Sequence, residues 1–464
     1  MMLALIRNRT LLSEALLAAL ALSLLALPAG LLLNGKALLA LVSLSGLFLT
    51  LFIFSVKQSF YFFFIANFFY SPFYLAPTLA LHPNDLAFAV LLLSALIHFL
   101  VRAPRQNESV PLSGIFAVLL FAGAISLLFA YDVSFAIAPL VRLTCMYALF
   151  RIVASHSESF SPKTIIEFYL TLVATLSAIH FGAYLWFGGV ERIFGLSGIA
   201  FETFTMVGVP MALAFALWDP DKRRRRKFAA IALVIFGGLI ATQSRGPAVS
   251  ITLTITALTF VSHLFARKLN YRFVRKRIRT VAFGGLMAIG VVFFSTNLFG
   301  QYLERFTTLF STDQYSTTTL RISLWGAAID AFQTSPVTGV GLGNFKTIDE
   351  ILPHLKFDPV RPWIKRSSAH NVSLQLLAET GILGLSAFLA LVGFALRLAY
   401  SKFKSCRDPA QIGVCAALFA GAVTIFTTTF FMRVWTWGQE GYLLAIILGL
   451  IANNNRYRIS ANQR

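Results

Sequence analysis

The sequence predicts an all-α, polytopic integral membrane protein: a bundle of about 12–14 transmembrane helices with one long outward-facing loop before the last three spans. Three observations carry that prediction. Hydrophobic residues make up 57% of the 464 and charged residues only 12%, where a soluble globule carries about 25%. Mean hydropathy is +0.75. Apolar runs long enough to cross a bilayer recur along the chain, and none shows the alternation of a transmembrane barrel.

Read in order, the candidate spans lie near residues 11–33, 36–56, 58–80, 84–101, 112–130, 134–154, 164–187, 199–218, 228–243, 246–265, 280–297, 371–400, 410–430 and 438–452. The first, with Arg7, Arg9, an apolar stretch and LALPAG, has the look of a signal peptide and is read as an uncleaved span. The 58–80 segment is weakened by Pro72 and Pro77, and only Ser244-Arg245 separates 228–243 from 246–265. Twelve spans therefore stands beside fourteen. The organisation expected is a membrane bundle over 1–297, an outward loop region over 298–369, and C-terminal membrane helices with a cytoplasmic tail over 370–464.

Charge fixes the orientation. The formal net charge is +20, which in a soluble protein would suggest nucleic acid. Here DKRRRRK at 221–227 and the run from Arg267 to Arg279 fall in loops an even number of spans apart. Lys402, Lys404, Arg407, Arg456, Arg458 and Arg464 fall on the same side. By the positive-inside rule that side is cytoplasmic, both termini are inside, and no nucleic-acid partner is implied. The cytoplasmic loops carry the whole basic excess. The outward face is neutral overall, so an anion site there must be built from individually placed arginines.

Four residues on that face stand out. The loop exit RSSAHNVSLQLLAETGILGL lets Ser367 or Ser368 cap a helix, with His370 in its first turn at the membrane edge. Histidine takes a proton near neutral pH, although a residue at that place also simply meets lipid headgroups. Arg245 sits in the Ser244-Arg245-Gly246-Pro247 break. An arginine there is costly unless it is paired, faces a watery cavity or snorkels from a helix end. Arg321 opens RISLW in a helical stretch, 319–334, that runs into a Pro336 and GVGLG turn. The bland reading of Arg321 is an ion pair with Glu304 or Asp313. Arg192 lies on another outward loop, with Glu202 just inside the next span.

Other chemistries find no support. GVGLG has neither the preceding strand nor the βαβ context of a dinucleotide fingerprint, so its glycines are read as turn chemistry folding the loop back onto the membrane. HExxH, cysteine–histidine metal spacing, GxSxG and a Walker sequence are all missing. Asp219-Pro220-Asp221, beside four arginines, reads as a charged turn. Cys145, Cys406 and Cys415 have no metal-ligand spacing and read as free thiols.

An SRG break, an R-x-x-LW helix followed by P-x-x-GxGxGxF, and HN-x-x-LQLLAETGILGL occur in that order ahead of the last spans. Over residues 241–247 and 318–385 the sequence resembles the O-antigen ligase family, which shares its late segment with O-antigen polymerases and some protein-directed oligosaccharyltransferases. The resemblance implies a multi-pass bacterial inner-membrane glycosyltransferase of lipopolysaccharide biosynthesis that works without a metal or other cofactor. It would move O-antigen from undecaprenyl pyrophosphate to lipid A–core at the periplasmic face, with inversion. By motif, the family's functional residues fall on Arg245, Arg321 and His370, with Arg192 a further pyrophosphate contact. Polymerase and protein-transferase readings stay open, and a lipid-linked sugar transporter is less favoured because no internal repeat is found.

Overall fold

The computed structural model describes residues 55–69, 73–76, 79–81, 83–101, 109–156, 160–187, 200–242, 245–268, 274, 276–277, 317–352, 368–430 and 438–453. The expected spans near 11–33, 36–56 and 280–297, and Arg192, Glu304 and Asp313, lie outside them. The chain divides into two compact units, Met1–Glu108 and Ser109–Arg464.

In the first unit, α1 (Val56–Ala66) is capped by Ser55. It is followed by β1 (Phe73–Ala76) and β2 (Leu79–Leu81), which pair antiparallel, and then by α2 (Pro83–Val101). The expectation of one span over 58–80 is therefore corrected: an 11-residue helix gives way to a hairpin. Pro72 and Pro77 supply the reason, since each lacks an N–H and disfavours helix in the residue before it. Asn84 donates to Asn67 at 3.1 Å and ties the end of α1 to the start of α2.

The second unit is helical. Its elements are α3 (Ser113–Ser126, extended by a 3-10 turn to Phe129), α4 (Val133–Ser155), α5 (Pro162–Trp186), α6 (Ala200–Trp218), α7 (Lys222–Thr242) and α8 (Arg245–Lys268). After them come α9 (Thr317–Thr334), a 3-10 turn over Asn344–Thr347, α10 (Ile348–Ile351), α11 (Val372–Ser405), α12 (Pro409–Thr428) and α13 (Gln439–Ala452). Among the described residues α2, α4, α5, α6, α11 and α12 are long and apolar enough to cross a membrane. Shorter apolar helices cover Ser113–Phe129, Ser250–Phe265 and Gln439–Ala452. The chain is an all-α polytopic membrane protein with one small hairpin.

Helix α6 is the axis of this unit. It is buried along nearly its whole length and packs on α5, α7, α8, α12 and α13. Lipid tails are as apolar as leucine, so helices in a bilayer associate by close contact at small residues. Gly238 of α7 abuts Ser177 of α5, Gly208 of α6 faces Ile235 of α7, and Gly449 of α13 sits on Val153 of α4. The outer helices leave large apolar side chains such as Phe121, Ile137 and Phe394 exposed, as a lipid-facing surface requires.

Cations collect at one end of the helices. Arg224 pairs with Asp219 at 2.9 Å and with Glu167. Arg277 donates to the Leu217 carbonyl near the end of α6 at 2.9 Å. Lys402 donates to the Ile451 and Asn453 carbonyls closing α13 at 2.6 and 2.9 Å. Helix C-termini present unpaired carbonyls and a negative dipole end, so these contacts stabilise the bundle while gathering the positive charge. Asp219-Pro220-Asp221 is a turn, with Asp219 accepting from the Asp221 N–H at 2.9 Å.

A Cβ placed on Gly238 would lie 2.5 Å from the Ser177 Cβ and 2.8 Å from its Cα. Gly238→Val should therefore force α7 off α5 at a cost of about 1–3 kcal/mol. The check is the thermal midpoint of the detergent-solubilised protein, which should fall by several degrees, whereas Gly326→Ala, with open space around it, should not lower it comparably.

Candidate active site at the helix starts

The starts of α6, α8 and α11 and the end of α12 meet at the end of the unit opposite the cations. Ser250, one turn into α8, shares a 2.5 Å hydrogen bond with Thr427 near the end of α12. Two residues on, the Thr429 carbonyl accepts the Val372 N–H that opens α11, at 2.8 Å. Helix α9 packs along α11, and its Trp325 donates to the Ala369 carbonyl at 3.0 Å.

The structure places His370 one residue before the cap of the helix, which corrects the expectation of a first-turn histidine behind a serine cap. Asn371 is the cap: its side chain accepts the Leu374 N–H at 3.1 Å. Serine would cap as well from an extended backbone, and the anchoring of Val372 by Thr429 and of Ala369 by Trp325 sets the start at Asn371. His370 then turns the chain at φ +51, one of two non-glycine residues in the left-handed region among those described.

Arg321 lies one turn before Trp325 on α9, on the face that approaches the His370 segment. Its guanidinium is partly buried, and burial lowers its pKa from the ordinary arginine value, while the carboxylate of Glu202 pulls the other way. Glu202 is itself buried in the first turn of α6. Arg245 is the first residue of α8, five residues before Ser250. Thr242 closes α7 and Arg245 opens α8, so Arg245, Gly246 and Pro247, expected in a break between the two, begin the second helix. Arg245 thus opens α8, His370 directly precedes the cap of α11, and Arg321 lies in the second turn of α9, whose Trp325 reaches Ala369. Arg192 is not described.

The GVGLG segment is a clasp. Gly339, Gly341 and Gly343 all have positive φ, at 71°, 104° and 79°. A side chain on Gly339 would overlap the Glu379–Thr380 backbone, one on Gly341 would come within 2.5 Å of Ala130, and one on Gly343 would overlap Phe135. Main-chain bonds close the contact: Val340 N–H to the Ala378 carbonyl at 2.9 Å, Gly341 N–H to the Glu379 carbonyl at 3.0 Å, and Ile382 N–H to the Pro336 carbonyl at 2.9 Å. They meet α11 where Gly381, at φ +62, breaks its helical geometry. On the other side Tyr131 N–H reaches the Val340 carbonyl at 3.1 Å and Asp132 N–H reaches Asn344 at 2.7 Å. The glycines are turn chemistry that fastens the loop onto the helices.

Sequence reasoning passed over the side chains that hold this arrangement. Glu379 is buried, and its Oε1 accepts from Gln375 Nε2 at 2.8 Å and from the Phe345 N–H at 3.4 Å. The available signal was an acid four residues after a glutamine inside an apolar run. A cavity of about 50 Å³ adjoins Val372, with Thr203, Thr428, Thr429 and Glu440 in its wall. The buried Thr203 hydroxyl has no hydrogen-bond partner among the described residues, and the space suits about one or two waters. Among the described residues no three His, Cys, Asp or Glu side chains group as metal ligands, and all three cysteines are free.

Comparison with known proteins adds one match. Residues 228–389 fit the family model described as O-antigen ligase. The matched segment runs from α7 through the clasp into α11 and contains Arg245, Arg321 and His370. No curated protein matches the chain.

If Asn371 fixes the start of α11, Asn371→Ala should lower stability by about 1 kcal/mol while Asn371→Asp retains most of it. Thermal unfolding of the two purified variants, side by side, measures the difference.

Proposed function

We propose that this chain, which carries an O-antigen ligase family domain over residues 228–389, is an O-antigen ligase. In this reading it transfers polysaccharide from undecaprenyl pyrophosphate to a hydroxyl of lipid A–core at the periplasmic face of the bacterial inner membrane. The observation that supports the reading is the position of Arg245, Arg321 and His370 at or near helix starts, away from the clustered cations. The charge distribution supports the orientation, since the basic end reads as cytoplasmic.

The chemistry assigns each residue a task. The bond from the sugar's anomeric carbon to the pyrophosphate oxygen breaks as the acceptor oxygen attacks from the opposite face, inverting the configuration. Negative charge grows on the departing pyrophosphate lipid. Arg245 and Arg321 grip its oxygens in planar, bidentate fashion and stay charged throughout. His370 accepts the proton of the attacking hydroxyl. The bond from the sugar to the pyrophosphate is already activated, because pyrophosphate is a good leaving group, so the residues supply charge stabilisation and proton transfer without a nucleotide. Arg192 contributes a further pyrophosphate contact.

His370→Ala, Arg245→Ala and Arg321→Ala should each cut transfer by at least about a hundredfold while the protein still inserts in the membrane. In vitro transfer with purified protein measures this, and wild-type activity in His370→Ala would remove histidine as the base. Chelators should leave the rate unchanged. A deletion strain separates the neighbouring activities. Loss of a ligase leaves bare core with lipid-linked polymer accumulating, loss of a polymerase leaves core plus one repeat, and loss of a protein transferase leaves lipopolysaccharide intact.

A further inference from the structure

We propose that Trp325 and Gln375 are positioning residues for His370, and that Glu379 acts through Gln375 by fixing which way its amide points. The proposal rests on the reading of His370 as the base.

The peptide units around Ala369, directly before His370, are held from two sides. The Ala369 carbonyl accepts from Trp325 Nε1 at 3.0 Å, and the Ala369 N–H donates to Gln375 Oε1 at 3.3 Å. Ala369 is fully buried and Gln375 nearly so. On the far side Asn371 caps α11, and the Val372 N–H is bound by the Thr429 carbonyl. His370 is left between two anchored neighbours at φ +51. A residue with a Cβ persists in that region when its surroundings over-determine it, and such residues concentrate where orientation matters for function.

A glutamine amide can present either oxygen or nitrogen, and only the oxygen can accept the Ala369 N–H. Glu379 resolves the choice. Its Oε1 accepts Gln375 Nε2 at 2.8 Å, which turns the amide oxygen toward Ala369. The same Oε1 accepts the Phe345 N–H at 3.4 Å from the far end of the glycine clasp. One line of hydrogen bonds therefore runs from the clasp through Glu379 and Gln375 to the residue before the histidine. Trp325 enters from α9, the helix that also presents Arg321 one turn earlier. The arrangement sets the imidazole and the guanidinium from common supports.

The donor and acceptor pattern gives a test that bulk destabilisation does not imitate. Full-length protein in proteoliposomes is assayed with undecaprenyl-pyrophosphate-linked polysaccharide and lipid A–core, with thermal unfolding followed in parallel. Gln375→Leu and Trp325→Phe should each lower kcat by about tenfold or more and leave the donor KM within about twofold. Gln375→Glu sets two carboxyl groups side by side without an N–H between them and should lower kcat as well. The exchange Gln375→Glu with Glu379→Gln restores one amide N–H between the pair and an oxygen toward the Ala369 N–H, at the cost only of the long bond from Phe345. It should recover kcat to within about threefold of wild type.

Wild-type kcat in both Gln375→Leu and Trp325→Phe, with His370→Ala inactive, overturns the positioning role and leaves the base reading standing. A double exchange no better than Gln375→Glu alone overturns the hydrogen-bond line. Full activity in His370→Ala removes the base, and the positioning role with it.

Discussion

The second unit depends on how α11 satisfies its backbone where it stops being regular. A helix crossing a bilayer has no water to pair freed N–H and C=O groups, so an interruption must be met by other parts of the protein. At Gly381 the helix turns through φ +62, and the GVGLG clasp supplies what is lost. It delivers two N–H groups to the Ala378 and Glu379 carbonyls and one carbonyl to the Ile382 N–H. Of the three positive-φ glycines of the clasp, Gly339 is required by this contact, while Gly341 and Gly343 are required by the close approach of Ala130 and the Phe135 main chain on the other side. Once the clasp is seated, the short first section of α11 is fixed as a separate piece, and with it the start that follows His370.

The two ends of this unit solve the same end-of-helix problem differently. At the basic end, lysine and arginine side chains reach the terminal carbonyls of α6 and α13, so charge that orients the bundle also caps it. At the opposite end Asn371 and the acidic Asp132 cap helix starts, and other backbone groups are paired by backbone. Asn371 and the Thr429 carbonyl start α11, and Ser126 holds Leu342 N–H at 3.1 Å. An end that spends few charges on structure is one where a small number of arginines dominate the local field.

Much of the architecture was legible in hydropathy. The segments read at 84–101, 134–154, 164–187, 199–218 and 410–430 are helices within a few residues of those bounds, because long apolar runs with caps leave few alternatives. The 58–80 segment misled because hydropathy counts apolar residues and ignores the missing N–H of Pro72 and Pro77. The capping serines misled in another way, since several candidate caps stood within five residues and only packing against Thr429 and Trp325 selects among them. Glu379 was hidden by the same averaging. A single acid in an apolar run scarcely lowers mean hydropathy, yet it links the clasp to the histidine segment, a connection between residues 345 and 375 that no local pattern contains.

The electrostatic influence of the Glu202 carboxylate on Arg321 bears on how the proposed site binds an anion and lets it go. Burial makes a bare guanidinium costly, and the buried carboxylate on α6 offsets that cost when no ligand is present. An arriving pyrophosphate brings more charge than one carboxylate and more oxygens in bidentate register, so in the proposed reaction it takes over as the main counter-charge of the guanidinium. When the lipid carrier departs, Glu202 is again the available counter-charge, and Arg321 is not left buried and unpaired. A site with several fixed cations and no acid would hold the product pyrophosphate more tightly than the donor. In the proposed reaction the neutral balance read for the outward face then favours release of the product.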